Sequence, residues 1–268
     1  MQGRIRIENL NESNVDDLIY VCSSKKLSDP IHMQGIELKK QWLRSMLRKY
    51  GSCAKIAYLN GNPVAQILYY PEEADATIPS GRKDVLIMLC VYNPTPAAQK
   101  LSIGTKLLQS IIEDVKLKKT CLGNKPCKFV LVKAFNTGEF LSMSDFFKKK
   151  GFLPTPEEGV MYLPIESTYE PRKRIGEYAP LPEDRNKAVL FYSPICQFSY
   201  QFAKNAEKLI KEVAPDISVE LIDEWEKPEE ASKRKNCAVI VNATAIRTFF
   251  MDTERFKEET RRAINKTA

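Results

Sequence analysis

The sequence predicts an α/β protein in two parts, a larger domain with a mixed sheet followed by a smaller α/β domain. Three observations carry this. Strand-like and helix-like apolar periods alternate along the first 165 residues. An Asn60-Gly61 dipeptide between two apolar runs marks a tight antiparallel hairpin inside that alternation. The stretch ESTYEPRKRIGEYAPLPEDRNK, Glu166 to Lys187, has three prolines, many charges and no apolar period, which reads as a seam. A length of 268 residues allows roughly two domains. The expected division is a domain over 1–167, a linker over 168–186 and a domain over 187–268.

Taken in order, RIRIENL reads as a short strand, and Asn11 or Ser13 is placed to cap a helix carrying Val15, Leu18, Ile19 and Cys22. From Ile36 to Tyr50, the residues Leu38, Trp42, Leu43, Met46 and Leu47 form one helical stripe, and Gly51 stands as its stop. The runs on either side of Asn60-Gly61 give the hairpin. Val85 to Tyr92 is dense enough in apolar residues for a central strand. A helix follows with Leu107, Leu108, Ile111, Ile112 and Val115 facing inward, then a strand in KFVLVKA, Lys128 to Ala134. A last helix, Ser142 to Lys150, ends at Gly151-Phe152, and VMYLPI closes the domain as a strand. In the second domain KAVLFYSP is a strand, Tyr200 to Val213 a helix and SVELIDEW a strand. PEEASKRKN is then a short polar helix, CAVIVNA and IRTFFMD a hairpin, and TERFKEETRRAI the closing helix.

Composition bounds the function. Hydrophobic residues are 43% and charged residues 28%, the balance of a globular protein with ordinary cores. No run of about 18 apolar residues occurs and MQGRIRIENL lacks a signal-peptide core, so a cytoplasmic protein without a membrane partner is expected. Seven cysteines without CxxC pairs indicate reduced thiols rather than a disulfide framework or a zinc ribbon. His32 is the one histidine, and no patterned ligand set accompanies it, so no metal is expected. The net charge is +7, but Lys and Arg are interleaved with Asp and Glu, and nucleic acid is not an expected partner.

The stretch PAAQKLSIGTKLLQSII turns from loop into helix, and its first backbone N–H groups lack intrahelical partners. The helix dipole adds partial positive charge there. Gly104 puts no side chain between an anion and the backbone, Ser102 and Thr105 can donate hydrogen bonds, and Lys100 and Lys106 add charge. The Gly-Lys-Ser/Thr ending of a Walker loop and the three-glycine Rossmann spacing are both missing. From this stretch alone, a pyrophosphate cradle and an ordinary helix capped by Ser102 or Thr105 stand side by side.

The order of elements, with this loop at its centre, resembles the GNAT superfamily of acetyl-CoA-dependent acyltransferases over Met1 to about Ile165. The family pattern is Arg or Gln, two residues, Gly, one residue, then Gly or Ala; Gln99, Ser102 and Gly104 occupy its anchors, with serine where glycine is usual. MLCVYNP is similar to the family's fourth strand and its exit, and Gly151-Phe152 to its final helix boundary. GIELKKQWL, YYPEE, MLCVYNP and the kind of second domain resemble GNAT proteins with a YoaP-type, thioredoxin-like C-terminal domain.

That resemblance implies a GNAT fold and a direct N-acetyl transfer from acetyl-CoA to a primary amine of a small molecule or peptide, by a monomer or homodimer without metal. It places the coenzyme on Cys90, Val91, Gln99, Lys100, Leu101, Ser102, Ile103, Gly104 and Thr105. The proton from the amine needs an acceptor, for which Glu72, Glu73 and Asp84 are candidates, each more readily read as a surface carboxylate. The family's thiolate-protonating tyrosine corresponds to Phe147 here, leaving Tyr69, Tyr92 or water as donors. Cys90 sits in an apolar strand with no histidine nearby and reads as an inert thiol. In the second domain, Cys196 stands where strand passes into helix, a position that favours thiolate, but CxxC has become Cys196-Gln197-Phe198-Ser199. Monothiol redox chemistry, with Cys237 as a neighbour, and a catalytically degenerate acyl-CoA sensor are the alternatives.

Overall fold

The computed structural model describes residues 4–24, 26–134, 142–172 and 176–266. They form two compact units, one comprising Met1–Lys25, Leu43–Asp75 and Ser80–Lys173, the other Lys26–Trp42, Ala76–Pro79 and Arg174–Ala268. No helix among the described residues is long and apolar enough to cross a membrane.

The first unit is built on a seven-stranded mixed sheet flanked by helices. Its strands are β1 (Ile5–Asn9), β2 (Ala54–Leu59), β3 (Asn62–Pro71), β4 (Val85–Tyr92), β5 (Phe129–Lys133), β6 (Leu153–Pro154) and β7 (Val160–Pro164), in spatial order β1-β2-β3-β4-β5-β7-β6. Only β4 and β5 run parallel. The hairpin joining β2 to β3 turns at Asn60 and Gly61, with φ of 52° and 86°, the doubly left-handed geometry that this dipeptide adopts at little strain. Asn11 accepts from the N–H of Ser13 at 2.9 Å and opens a 3-10 turn leading into α1 (Val15–Ser23), which packs over β3. α3 (Ile103–Lys116) buries Leu107, Leu108, Ile111 and Val115 on the opposite face, in one cluster with Tyr69, Leu86 and Met88. α4 (Met143–Lys148) adds Phe147 to that core. α2 (Pro30–Tyr50) begins six residues earlier than its apolar stripe suggests, because Asp29 accepts from the N–H groups of Ile31 and His32 and caps it.

At the end of the sheet where β4 begins, Glu72 is wholly buried and accepts two hydrogen bonds from Arg82, at 2.7 and 3.1 Å, with Arg172 at 3.3 Å. Arg82 lies over the rings of Phe129 and Tyr169, 5.1 and 5.2 Å from their centroids. Glu157 closes the network by accepting from Tyr169 and Arg172. Residues 169–172, the start of the segment expected as a linker, are therefore pinned by charge pairs and stacked rings; 173–175 lie outside the described residues.

The second unit carries β8 (Lys187–Tyr192), β9 (Ser218–Asp223), β10 (Val239–Val241) and β11 (Thr244–Ala245), in order β11-β10-β8-β9, with β8 and β9 parallel and the other pairs antiparallel. α5 (Ser199–Val213), α6 (Pro228–Lys233) and α7 (Thr253–Ile264) accompany it. The expected hairpin is shorter than the sequence suggests. Asn242 and Ala243, both with positive φ, turn the chain, and IRTFFMD past Ala245 forms no strand. Buried Arg234 donates to both oxygens of Asp184 at 3.0 Å, and Tyr178 donates to the same carboxylate at 2.8 Å. The first part of α2 belongs to this unit: His32 meets Phe198, Gly35 abuts Gln197, and Trp42 packs edge-on against Trp225 with ring centroids 5.4 Å apart.

Candidate acyl-donor site

The β4–β5 ladder runs from Val85↔Phe129 to Met88↔Val132 and ends there, while β4 continues to Tyr92. Pairing with β3 jumps from Tyr69↔Met88 to Leu68↔Cys90, so Leu89 is an extra residue, a β-bulge. A bulge bends its strand and raises its twist, which carries the last part of β4 away from β5. Among the described residues, Leu89 to Tyr92 thus pair with β3 alone and present an unpaired edge on the other side. Their side chains are half-buried, in contrast to the buried Val85, Leu86 and Met88.

β4 then leads through Asn93 and a 3-10 turn, Pro96–Ala98, into α3. Asn93 Nδ2 donates to the Ala98 carbonyl at 3.0 Å and Thr95 Oγ1 to that of Val64 at 3.2 Å, which fixes the loop. The helix start is unusual. Ser102, its N-terminal flanking residue, is left-handed with φ 57° and ψ 25°, and its hydroxyl caps nothing. Lys100, two residues earlier, is left-handed as well, with φ 63°. Alternation of this kind gathers successive N–H groups into an anion-binding concavity. The N–H of Lys106 is the first to bond back, to the Ser102 carbonyl at 3.0 Å, so those of Ile103, Gly104 and Thr105 precede the helical ladder. Lys100 and Lys106 are exposed beside them and Gln99 is half-buried.

Gly104 joins the loop to the strand edge. A Cβ there would stand 3.5 Å from Val91 Cγ1 and 3.7 Å from Phe146 Cζ, ordinary contact distances, so the protein itself does not require glycine. Val91 packs with the α3 cluster. Cys90, its neighbour, points to the other face, where the Gln66 amide donates to its sulfur at 2.9 Å and lies 3.8 Å from Cys22 Sγ. Gln66 is wholly buried and its Oε1 has no partner among the described residues.

Cys90 and Val91 lie on the strand edge and Gln99, Lys100, Leu101, Ser102, Ile103, Gly104 and Thr105 on the loop and helix start; Gly104 meets Val91, while the Cys90 side chain takes the other face. Of the proton-handling candidates, Tyr92 ends β4 at this edge, half-buried, and the others lie elsewhere. Asp84 precedes β4 by one residue, six positions from Cys90 and so roughly 20 Å away along the strand. Glu73 is exposed in the 3-10 turn after Pro71, which pairs with Leu86 at that same distant end. Glu72 is consumed by Arg82 and Arg172. Tyr69 is a core residue whose hydroxyl burial pushes well above its ordinary titration range. Phe147, where the resemblance led to the expectation of a tyrosine, is fully buried against Phe146 and Phe152, and the ring beside Gly104 is that of Phe146. Sequence reading missed Gln66, Asn93 and Phe146. Of these only Gln66 left a trace, as a lone amide in the apolar strand NPVAQILYY.

In the second unit Cys196 is exposed in the turn before α5, its carbonyl accepting from the N–H of Ser199 at 2.9 Å. The Ser199 hydroxyl accepts from the N–H of Ser193 at 2.9 Å. Cys237 is half-buried, donates to the Val239 carbonyl at 3.4 Å, and burial raises its thiol pKa. No cis peptide and no group of three or more metal-ligating side chains occurs among the described residues.

No protein-family model matches the chain, and no curated protein matches it. Among solved structures, the PaiA N-acetyltransferase of Thermoplasma acidophilum in complex with coenzyme A is 16% identical over 60% of this chain and 99% of its own, at a TM-score of 0.43. A GNAT family acetyltransferase of Brucella melitensis in complex with acetyl-CoA is 13% identical over 64% and 94%, at 0.41. An N-acetyltransferase of Staphylococcus aureus Mu50 is 11% identical over 60% and 98%, at 0.42.

Proposed function

We propose that the first unit is an acetyl-CoA-dependent N-acyltransferase of GNAT type. One observation carries the reading: the unpaired edge of β4 leads directly into a left-handed loop whose helix start offers three N–H groups. Those two features suit the two ends of a coenzyme A tail. The pantetheine arm carries amides that extend a sheet edge, and the diphosphate matches the concavity formed by Ile103, Gly104 and Thr105, with Lys100 and Lys106 beside it. The thioester supplies an activated acyl carbonyl. The edge N–H near Val91 serves as its oxyanion donor, so that charge developing on the carbonyl oxygen meets a fixed dipole. A primary amine of a small molecule or peptide attacks in a ternary complex, without a covalent enzyme intermediate. Calorimetric titration with coenzyme A, followed by mass spectrometry of acetylated products across an amine panel, tests both halves. Absence of coenzyme A binding refutes the reading.

A second reading, an acyl-CoA-binding sensor without turnover, is favoured by the position of Glu73 and Asp84 at the other end of β4 and by the burial of Tyr69 in the core. Binding without any acetylated product would select it. For the second unit we propose a thioredoxin-like domain with Cys196 as an accessory monothiol; the order β11-β10-β8-β9 and the exposure of Cys196 support that reading. A Cys196→Ser variant with unchanged thiol exchange refutes the redox part.

A further inference from the structure

The strand exit has two faces, and they differ. On one, Val91, Gly104 and Phe146 are already in contact and α3 and α4 cover the sheet. On the other, under α1, the side chains of Gln66, Cys90 and Cys22 converge. Gln66 pairs across the ladder with Tyr92 and Leu68 with Cys90, so the amide lies over the unpaired end of β4. It is wholly buried in strand β3, yet only its N–H end is used, toward sulfur. Its carbonyl oxygen has no partner among the described residues. A buried acceptor left bare is a loss of about one hydrogen bond to the folded state, and such groups persist where a ligand completes them.

We infer that Gln66 Oε1 is the group that receives the N–H of the attacking amine, orienting its lone pair toward the acyl carbon beside Cys90 and Val91. The inference rests on the transferase reading above. A primary amine suits the site because it keeps an N–H to donate while its lone pair attacks; after the C–N bond forms, the second proton passes to the departing sulfur as the C–S bond breaks, so that coenzyme A leaves as its thiol. On the α1 face Gln66 is wholly buried while Cys90 and Tyr92 are half-buried, so the amine has to reach Gln66 past those two residues of β4.

Replacement by methionine tests this, since it keeps the length of the side chain and deletes both polar ends. Gln66→Met and wild type are compared in melting temperature, in coenzyme A affinity by calorimetry, and in acetylation of n-butylamine, benzylamine, aniline and spermidine by mass spectrometry. The expected result is an unchanged or higher melting temperature, coenzyme A affinity within about twofold, and a fall of at least about tenfold in kcat/KM for whichever amine the wild type uses. A structural role for the amide would lower the melting temperature; a fall of about 3 °C or more overturns the inference. So does a kcat/KM within about twofold of wild type, or a wild type that binds coenzyme A and acetylates none of the amines. A wild type that fails to bind coenzyme A refutes the transferase reading itself, which separates the two failures.

Discussion

Substituting glycine for Ser102 isolates the strain at the head of α3. An L-residue in the left-handed region costs about 1–2 kcal/mol, and Ser102 sits there with φ 57° and no hydrogen bond from its hydroxyl to the helix. Glycine relieves that cost but adds freedom to the unfolded chain, which opposes folding by about 0.4–1 kcal/mol. The net expectation is a stabilisation of about 0.5–1 kcal/mol, or roughly 1–4 °C in melting temperature for a unit of this size. The same change removes a Cβ from the rim of the anion concavity, so coenzyme A affinity should rise by several-fold, roughly the equivalent of 1 kcal/mol. Thermal melts and calorimetry of Ser102→Gly against wild type read both quantities. A lower melting temperature would mean that the serine is held by interactions stronger than the backbone penalty. Unchanged affinity alongside a raised melting temperature would mean that the left-handed turn serves the fold and not the diphosphate.

The phenylalanine pair separates position from identity. Phe147→Tyr buries a hydroxyl among Phe146, Phe152 and aliphatic neighbours and should lose about 1–3 kcal/mol in urea unfolding, whereas Phe146→Tyr, half-buried beside Gly104, should stay within about 0.5 kcal/mol. Glu72→Ala leaves Arg82 and Arg172 facing each other without their shared carboxylate, and a loss of about 3–5 kcal/mol by urea denaturation is expected, with coenzyme A binding retained if the remaining protein is folded. His32 is the sole histidine, and burial, then the nearby Lys26 charge, lowers its pKa below 6.5. The folded state therefore prefers the neutral ring, so its contribution is complete above pH 6.5 and is lost as pH falls from there through the folded value. A single-residue NMR titration should give a midpoint below 6.5, and His32→Gln should flatten the decline in melting temperature on that side; a midpoint above 6.5 would contradict the reading.

Much of the first unit was legible because its signals are local. Asn60-Gly61 requires a turn with positive backbone angles, and the α3 stripe from Leu107 to Val115 repeats at helical spacing. The start of α2 was hidden, since Asp29 caps from a segment with no apolar stripe. IRTFFMD looked like a strand because aromatic residues favour strands, but Phe249 and Met251 are largely exposed and the chain needed only two residues to pair with β10. The proposed donor loop was inferred from unbonded helix N–H groups and one glycine, and the structure has those N–H groups ahead of the helical ladder. The expected carboxylates Glu73 and Asp84 fall at the other end of β4, because a strand period tells which face a side chain takes and says nothing of which end of the strand lies by the loop. Asp84 and Cys90 are close in sequence and roughly 20 Å apart in an extended strand. The bulge at Leu89 has no sequence mark at all, as it arises from register against β3.

The places where local rules fail are informative because a consistent fold has little reason to keep them. Left-handed Lys235 and Asn236 follow α6, and Asn242 and Ala243 make the β10–β11 turn, so each pair has a structural task. Lys100 and Ser102 end no helix and turn no hairpin; they precede α3 without capping it. Within the same stretch of the first unit a ladder stops at Met88 while its strand goes on, and a wholly buried glutamine leaves its carbonyl unpaired. Each of these weakens the protein by itself, and the proposed acyl donor and amine together would satisfy all three. In the proposed complex an extended amide chain would complete the strand edge, an anionic tail would occupy the concavity, and an N–H donor would meet Gln66. A purely structural account needs three separate reasons for defects that adjoin the same four residues of β4, and a ternary complex of acyl donor and amine needs one.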